Sequence, residues 1–259
     1  MARGVSTVLD VAVCLLLVGA ALATLSGIPP SPAAQSKVDA DTAARTVATT
    51  TTGVPVDGRT RHGTLATQLA DAAVAGATLD DRRLVETAYD ERVVDATEAE
   101  TDDRVFVTAT WEPYPNATVS GRLDAGRRPP ESADVATTTL VVDSGVDAPT
   151  ASTFDALARE LAAAVVDRLF PPRRTRAALV DPRTSARAAT RYRTAAARLG
   201  VDVDRAVADA DADAANEALA AGLASRFGPE LRDRYRTPET AAAALTADKV
   251  EIVVRRWDR

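Results

Sequence analysis

Histidine, cysteine and lysine are nearly missing from this chain of 259 residues, which holds one His, one Cys and only Lys37 and Lys249. Cys14 sits inside an N-terminal apolar run, so the remainder carries no disulfide and no thiolate metal site. With His62 as the sole imidazole, a zinc site of His and Cys ligands is excluded. Aromatic residues make up only 4% of the chain, so a core must be built mainly from Ala, Val and Leu. Such a core buries less area per residue than one rich in Phe and Trp. No phosphate loop, dinucleotide fingerprint or nucleophile elbow occurs along the chain. These absences point to a non-catalytic protein, and no cofactor or metal is expected.

What is present is acidic. The net charge is −6, Asp outnumbers Glu by 26 to 11, and the basic residues are almost all Arg. Short, strongly hydrated carboxylates keep a surface soluble in concentrated salt, where screening lengths shrink to a few Å. The composition resembles that of haloarchaeal proteins, although a GC-rich genome favours the same residues. An acidic balance argues against nucleic acid as a partner, because no basic stripe is available to displace counterions from phosphates.

The first 28 residues carry the clearest signal. After Met-Ala-Arg3-Gly4 comes a largely apolar stretch from Val5 to Ile28 whose only charge is Asp10, and Pro29, Pro30 and Pro32 follow it. As a helix, Val5 to Ile28 would measure about 36 Å, enough to cross a bilayer core of roughly 30 Å. Arg3 and the free amine favour an N-in, C-out orientation. Three readings fit: a secretory signal cleaved after Ala21-Leu22-Ala23, an uncleaved anchor, or a class III signal.

The third rests on Arg3-Gly4-Val5-Ser6-Thr7-Val8 and the apolar run behind it, which resembles archaeal type IV pilins, pilin-like proteins and pseudopilins. The resemblance implies cleavage between Gly4 and Val5, with the helix retained and packed into a filament or scaffold. It also implies that Asp10 pairs with a neighbouring subunit's amine inside an apolar bundle. All three readings put the bulk of the chain outside the cell, and the expected arrangement is a single-pass membrane protein with its N-terminus inside and its head extracellular.

The remainder reads as a Pro/Ser/Ala linker over residues 29–36 and an α+β head over 37–259. Helical spacing appears over 37–47, 64–75 and 80–95. Val105–Trp111, Ala117–Leu123 and Thr137–Val142 alternate and are rich in β-formers, which suggests an antiparallel meander. Helices are expected from Thr150 or Ser152 to Leu169, where Pro171-Pro172 stops the chain, then over 185–199, 203–227 and 237–246. Lys249–Val254 is a final strand that rejoins the sheet.

Few side chains invite chemistry. His62 lies in a polar stretch with no local nucleophile or acid and reads as a solvated loop residue. Asp209, Asp211 and Asp213 match alternating EF-hand ligand positions, but Ala214 and Ala220 stand where Gly and Glu are required. Asp202, Asp204 and these three therefore read as a solvated helix face or turn. Asn116-Ala-Thr118 is a possible N-glycosylation site in an exposed turn. Glu112 and Asp233 read as surface charges, and the pairs Arg127-Arg128, Arg173-Arg174 and Arg255-Arg256 as partners of nearby carboxylates. The expected function is a membrane-anchored pilin-like or pseudopilin-like subunit whose partners are other such subunits or secretion-system components. The alternative is a membrane-anchored extracytoplasmic domain binding a small ligand or peptide, and an envelope hydrolase has the least support.

Overall fold

The computed structural model describes residues 32–56 and 59–258. The proposed membrane segment over 1–28, with Gly4, Val5 and Asp10, lies outside the described residues. Among the described residues no helix is long and apolar enough to cross a membrane.

Helix α1 spans Pro32–Thr49. It takes in residues 32–36, which the sequence assigns to a linker. Its buried face is Ala40, Ala43, Ala44 and Val47, an i, i+3, i+4, i+7 stripe. An unexpected hairpin follows, β1 (Thr51–Val56) and β2 (Arg59–Thr64), paired from Thr51↔Thr64 to Val56↔Arg59. The Thr64 side chain caps α2 (Leu65–Ala75) by accepting from the Thr67 amide.

The helix expected over 80–95 is corrected. Asp80 and Asp81 adopt left-handed φ values of 50° and 61°, which Asp tolerates in turns. They join two-residue strands β3 (Thr78–Leu79) and β4 (Arg82–Arg83), and helix α3 begins only at Tyr89 and runs to Glu100.

Strands β5 (Val105–Trp111), β6 (Val119–Gly126) and β7 (Val135–Asp143) form where expected. Helices α4 (Phe154–Leu169), α5 (Pro172–Val180), α6 (Ser185–Leu199), α7 (Asp204–Ala208), α8 (Ala212–Arg234) and α9 (Pro238–Ala243) then precede β8 (Lys249–Trp257). The six-stranded antiparallel sheet has the order β4-β3-β6-β5-β8-β7. The meander is therefore corrected: β6 and β7 do not pair, because the C-terminal strand enters between β5 and β7.

Register places Val107, Val254 and Thr138 in one row across the sheet, on the face that α1 and α2 cover. On β8, Val250, Ile252 and Val254 are buried while Lys249 and Glu251 are exposed, the alternation of a sheet with one covered face. Gly121 on β6 faces the backbone of Ala73 on α2, so the missing Cβ sets how closely that helix can approach. At one end of the sheet, the buried Trp111 indole donates to the Ala247 carbonyl at 2.8 Å. Beyond it, Tyr114 packs edge-on against Phe227 of α8, with ring centroids 5.7 Å apart.

Candidate functional site

Helix α1 reaches the sheet through polar ties as well as its alanine stripe. Thr138 of β7 donates to the Asp41 carboxylate at 2.6 Å, and Arg256 of β8 lies 4.0 Å from Asp39. The opposite side of β7 is bare. Val135 and Val141 are 42% and 65% exposed, so two of the largest exposed apolar side chains lie six residues apart on one edge strand. No charged residue occurs between them. Edge strands usually carry such charges as protection against pairing.

A half-buried polar cluster binds the first helices to the second half of the chain. Asp71 on α2 receives Arg61 from β2 at 3.0 Å and also pairs with Arg168 of α4. Arg168 donates onward to the Ser144 carbonyl at 2.8 Å. The Tyr89 hydroxyl donates to Gln68, whose amide donates to the Arg61 carbonyl at 2.9 Å. Burial, and then the charge of Asp71, pushes the Tyr89 hydroxyl up to about 12. Tyr89 thus stays protonated, a fixed donor rather than a proton-transfer group.

The loop carrying the glycosylation sequon is locked to α8. Asn116 is exposed with φ of 58°, and its amide donates to Glu112 at 3.0 Å. The Thr118 amide and hydroxyl donate to Glu230 at 3.2 and 2.5 Å, and the Tyr114 hydroxyl donates to the same carboxylate at 2.8 Å. Arg234 closes the loop by donating to the Pro115 carbonyl at 2.6 Å. Glu112, read as a plain surface charge, is in fact a loop anchor. Glu230 escapes sequence reading because its partners lie more than a hundred residues away.

The other candidates disperse. His62 is exposed on strand β2, not in a loop, opposite Gly53. Among the five aspartates, Asp202 accepts from the Asp204 amide and Asp204 pairs with Arg193. Asp209 lies 3.9 Å from Arg205, Asp211 caps α8 through the Ala214 amide, and Asp213 pairs with Arg176. Among the described residues, no group of three or more His, Cys, Asp and Glu side chains could hold a metal ion. Arg128 and Arg256 do meet carboxylates, those of Asp124 and Asp102. Arg255 instead donates to Thr108 at 3.2 Å. Arg173 and Arg174 are exposed without an ion pair among the described residues.

These features define a class: an α+β domain in which the helix Pro32–Thr49 is tied to one face of an antiparallel sheet. The chain belongs to a family of unknown function, DUF7284, whose model matches residues 9–257. No curated protein and no solved structure matches it.

Proposed function

We propose that this protein is a non-catalytic, membrane-anchored pilin-like or pseudopilin-like component of an archaeal surface-filament or secretion system. The observation that carries the reading is the Arg3-Gly4-Val5 junction followed by an apolar run with Asp10 at its head. In this reading the helix holds the subunit in a membrane or filament core, with Asp10 meeting a neighbour's amine. Two further observations support it. The family match runs from residue 9 through the head, so most of the apolar run lies within it. Helix α1 is tied to β7 and β8, so a pull on the N-terminal segment would be carried into the sheet instead of into a loose linker.

The test is mass spectrometry of the mature N-terminus from protein made in a salt-adapted archaeal host. A chain starting at Val5, and loss of both processing and assembly in Gly4→Val, is the expected result. A start near Thr24 would mean a freely secreted protein and sink the proposal. An intact N-terminus with assembly unaffected by Gly4→Val would favour the second reading, an anchored extracytoplasmic binding domain.

A further inference from the structure

Strand β7 ends the six-stranded sheet on one side, with β8 as its neighbour. The pairing with β8 fixes which of its backbone groups are already used. The Ser144 amide donates to the Asp248 carbonyl at 3.0 Å, and the Asp258 amide to the Asp134 carbonyl at 3.3 Å. Both bonds continue the β7–β8 register by one residue, so Ala136, Thr138, Leu140 and Val142 also turn their amides and carbonyls toward β8. Val135, Thr137, Thr139, Val141 and Asp143 turn theirs outward. Among the described residues, these outward groups have no backbone partner.

The strand lacks the usual defences of an open edge. Over its nine residues it has no proline, glycine or lysine, and no charge before Asp143 at its end. The side chains of the outward-bonding residues are themselves exposed. Such an edge is a template for another strand.

The spacing decides which strand. Two β7 strands can lie antiparallel about a two-fold axis that brings the two Thr138 residues opposite each other. Val135 then faces the partner's Val141, and Thr137 the partner's Thr139. Directly opposed residues of this set exchange both backbone bonds, so each outward amide and carbonyl from Val135 to Val141 gains a counterpart. The exposed valines, 42% and 65% accessible, cover each other, and threonine pairs fill the middle. A one-residue slip would set outward groups against inward ones. A two-residue slip would put Val135 against Asp143 or against Thr139. The exposed face reads Val, Thr, Thr, Val in either direction, a symmetry that a second copy of the same strand uses and an unrelated strand does not need.

Helix α1 leaves room for the mate. Asp41 and Asp39 lie on opposite flanks of the helix and reach β7 and β8 respectively, so α1 lies over the two strands and not past the edge. With strands about 4.8 Å apart, the two copies of α1 would stand roughly 10 Å from each other, a normal spacing for packed helices. The flank toward the edge carries Asp41 and Arg45, exposed and one turn apart. An antiparallel mate offers each of these aspartates a cation.

We propose that β7 is a homodimer interface, at which two copies pair edge to edge over Val135–Val141 and join their sheets into one. A two-fold contact of this kind closes on itself, giving a pair and not a fibre. It does not depend on how the N-terminal segment is processed.

The experiment uses the full chain, made in a salt-adapted host and kept in detergent and concentrated salt. Residue-resolved amide hydrogen exchange is followed over a dilution series, with sedimentation alongside. The amides of Val135, Thr137, Thr139 and Val141 should be protected in the dimer and lose that protection as dilution dissociates it. Those of Ala136, Thr138 and Leu140 should stay protected throughout by β8. Association through the N-terminal segment cannot produce that alternation. Val135→Lys/Val141→Lys sets like charges opposite each other and should abolish the outward protection, weakening association by about tenfold or more. Both positions are exposed, so its unfolding transition should match the parent's. Val135→Glu/Val141→Lys places opposite charges together only in the proposed register and should restore protection. Fast exchange of the outward amides at every concentration, protection that survives the double lysine variant, or equal loss in both double variants would overturn the proposal. Protected outward amides in a chain that sediments as a monomer would also overturn it, because another part of the same chain would then cover the edge.

Discussion

A Cβ placed on Gly121 would fall 2.0 Å from the backbone carbonyl oxygen of Ala73. Strand β6 and helix α2 therefore meet backbone to backbone, and no rotamer change can relieve an added methyl there. Gly121→Ala must push α2 off the sheet and open the core around Leu69, Ala73 and Trp111. Overpacking of this kind costs on the order of 3 kcal/mol. Denaturant unfolding in high salt checks it, and a variant within about 0.5 kcal/mol of the parent would refute the close packing.

Glu230 holds three donors of the sequon loop at once. Glu230→Ala should leave the sheet intact and speed amide hydrogen exchange selectively over residues 114–118. Thr118 needs its hydroxyl free for glycan transfer to Asn116, so the same change should raise glycan occupancy in an archaeal host. Exchange unchanged over this loop would show that its order comes from Pro113 and Pro115 instead.

Alkaline pH should unfold the head through its buried tyrosines. Tyr89 is pushed up to about 12, first by burial and then by Asp71. Tyr114 and Tyr192 are also raised, first by burial. An unfolded tyrosine titrates near pH 10. The folded state thus keeps protons that the unfolded state releases, and stability present below about pH 10 is lost as pH rises through about 12. Tyrosinate absorbance should appear in step with the loss of far-UV signal, and Tyr89→Phe should flatten part of the slope. Early, reversible ionisation of all the tyrosines in a still-folded head would contradict this.

Asp211 acts as a helix cap and not as a cation ligand. Asp211→Ala removes the acceptor for the Ala214 amide and should cost about 1 kcal/mol. Asp209→Ala, whose partner Arg205 is almost wholly exposed, should cost much less. Millimolar calcium should leave the unfolding temperature of the parent unchanged. A rise with calcium that Asp211→Ala abolishes would reinstate the cation reading.

Legibility followed sequence distance. Helices α4 and α6 were readable because apolar spacing is a local signal, although Thr153, not Thr150 or Ser152, caps α4, and β5 and β8 because β-branched runs bounded by turns are local too. The β1–β2 hairpin was not: its residues are mostly polar, contain Pro55, and show no alternation because the hairpin pairs only with itself. Pro171-Pro172 reads as a stop, yet Pro172 also opens α5, since proline suits a first helical position. The helix expected over 203–227 splits at Ala210, whose φ of 53° no propensity rule forecasts for alanine, and α8 then runs past Pro229 to Arg234. The eight arginines of residues 172–198, set against Asp181 alone, contradict the expected lack of a basic stripe, because whole-chain averaging hid them.

The position of β8 has a consequence for how the molecule comes into being. A strand that both β5 and β7 need as a neighbour follows β7 by more than a hundred residues and joins the sheet only when it docks between them. Until then β7 has no partner in the sheet, and Trp111 lacks the Ala247 carbonyl it donates to. Non-local pairing of this kind is slow to nucleate. The sheet therefore closes only after helices α4 to α9 have been made, and it leaves Trp111 and β7 without their partners until that late step.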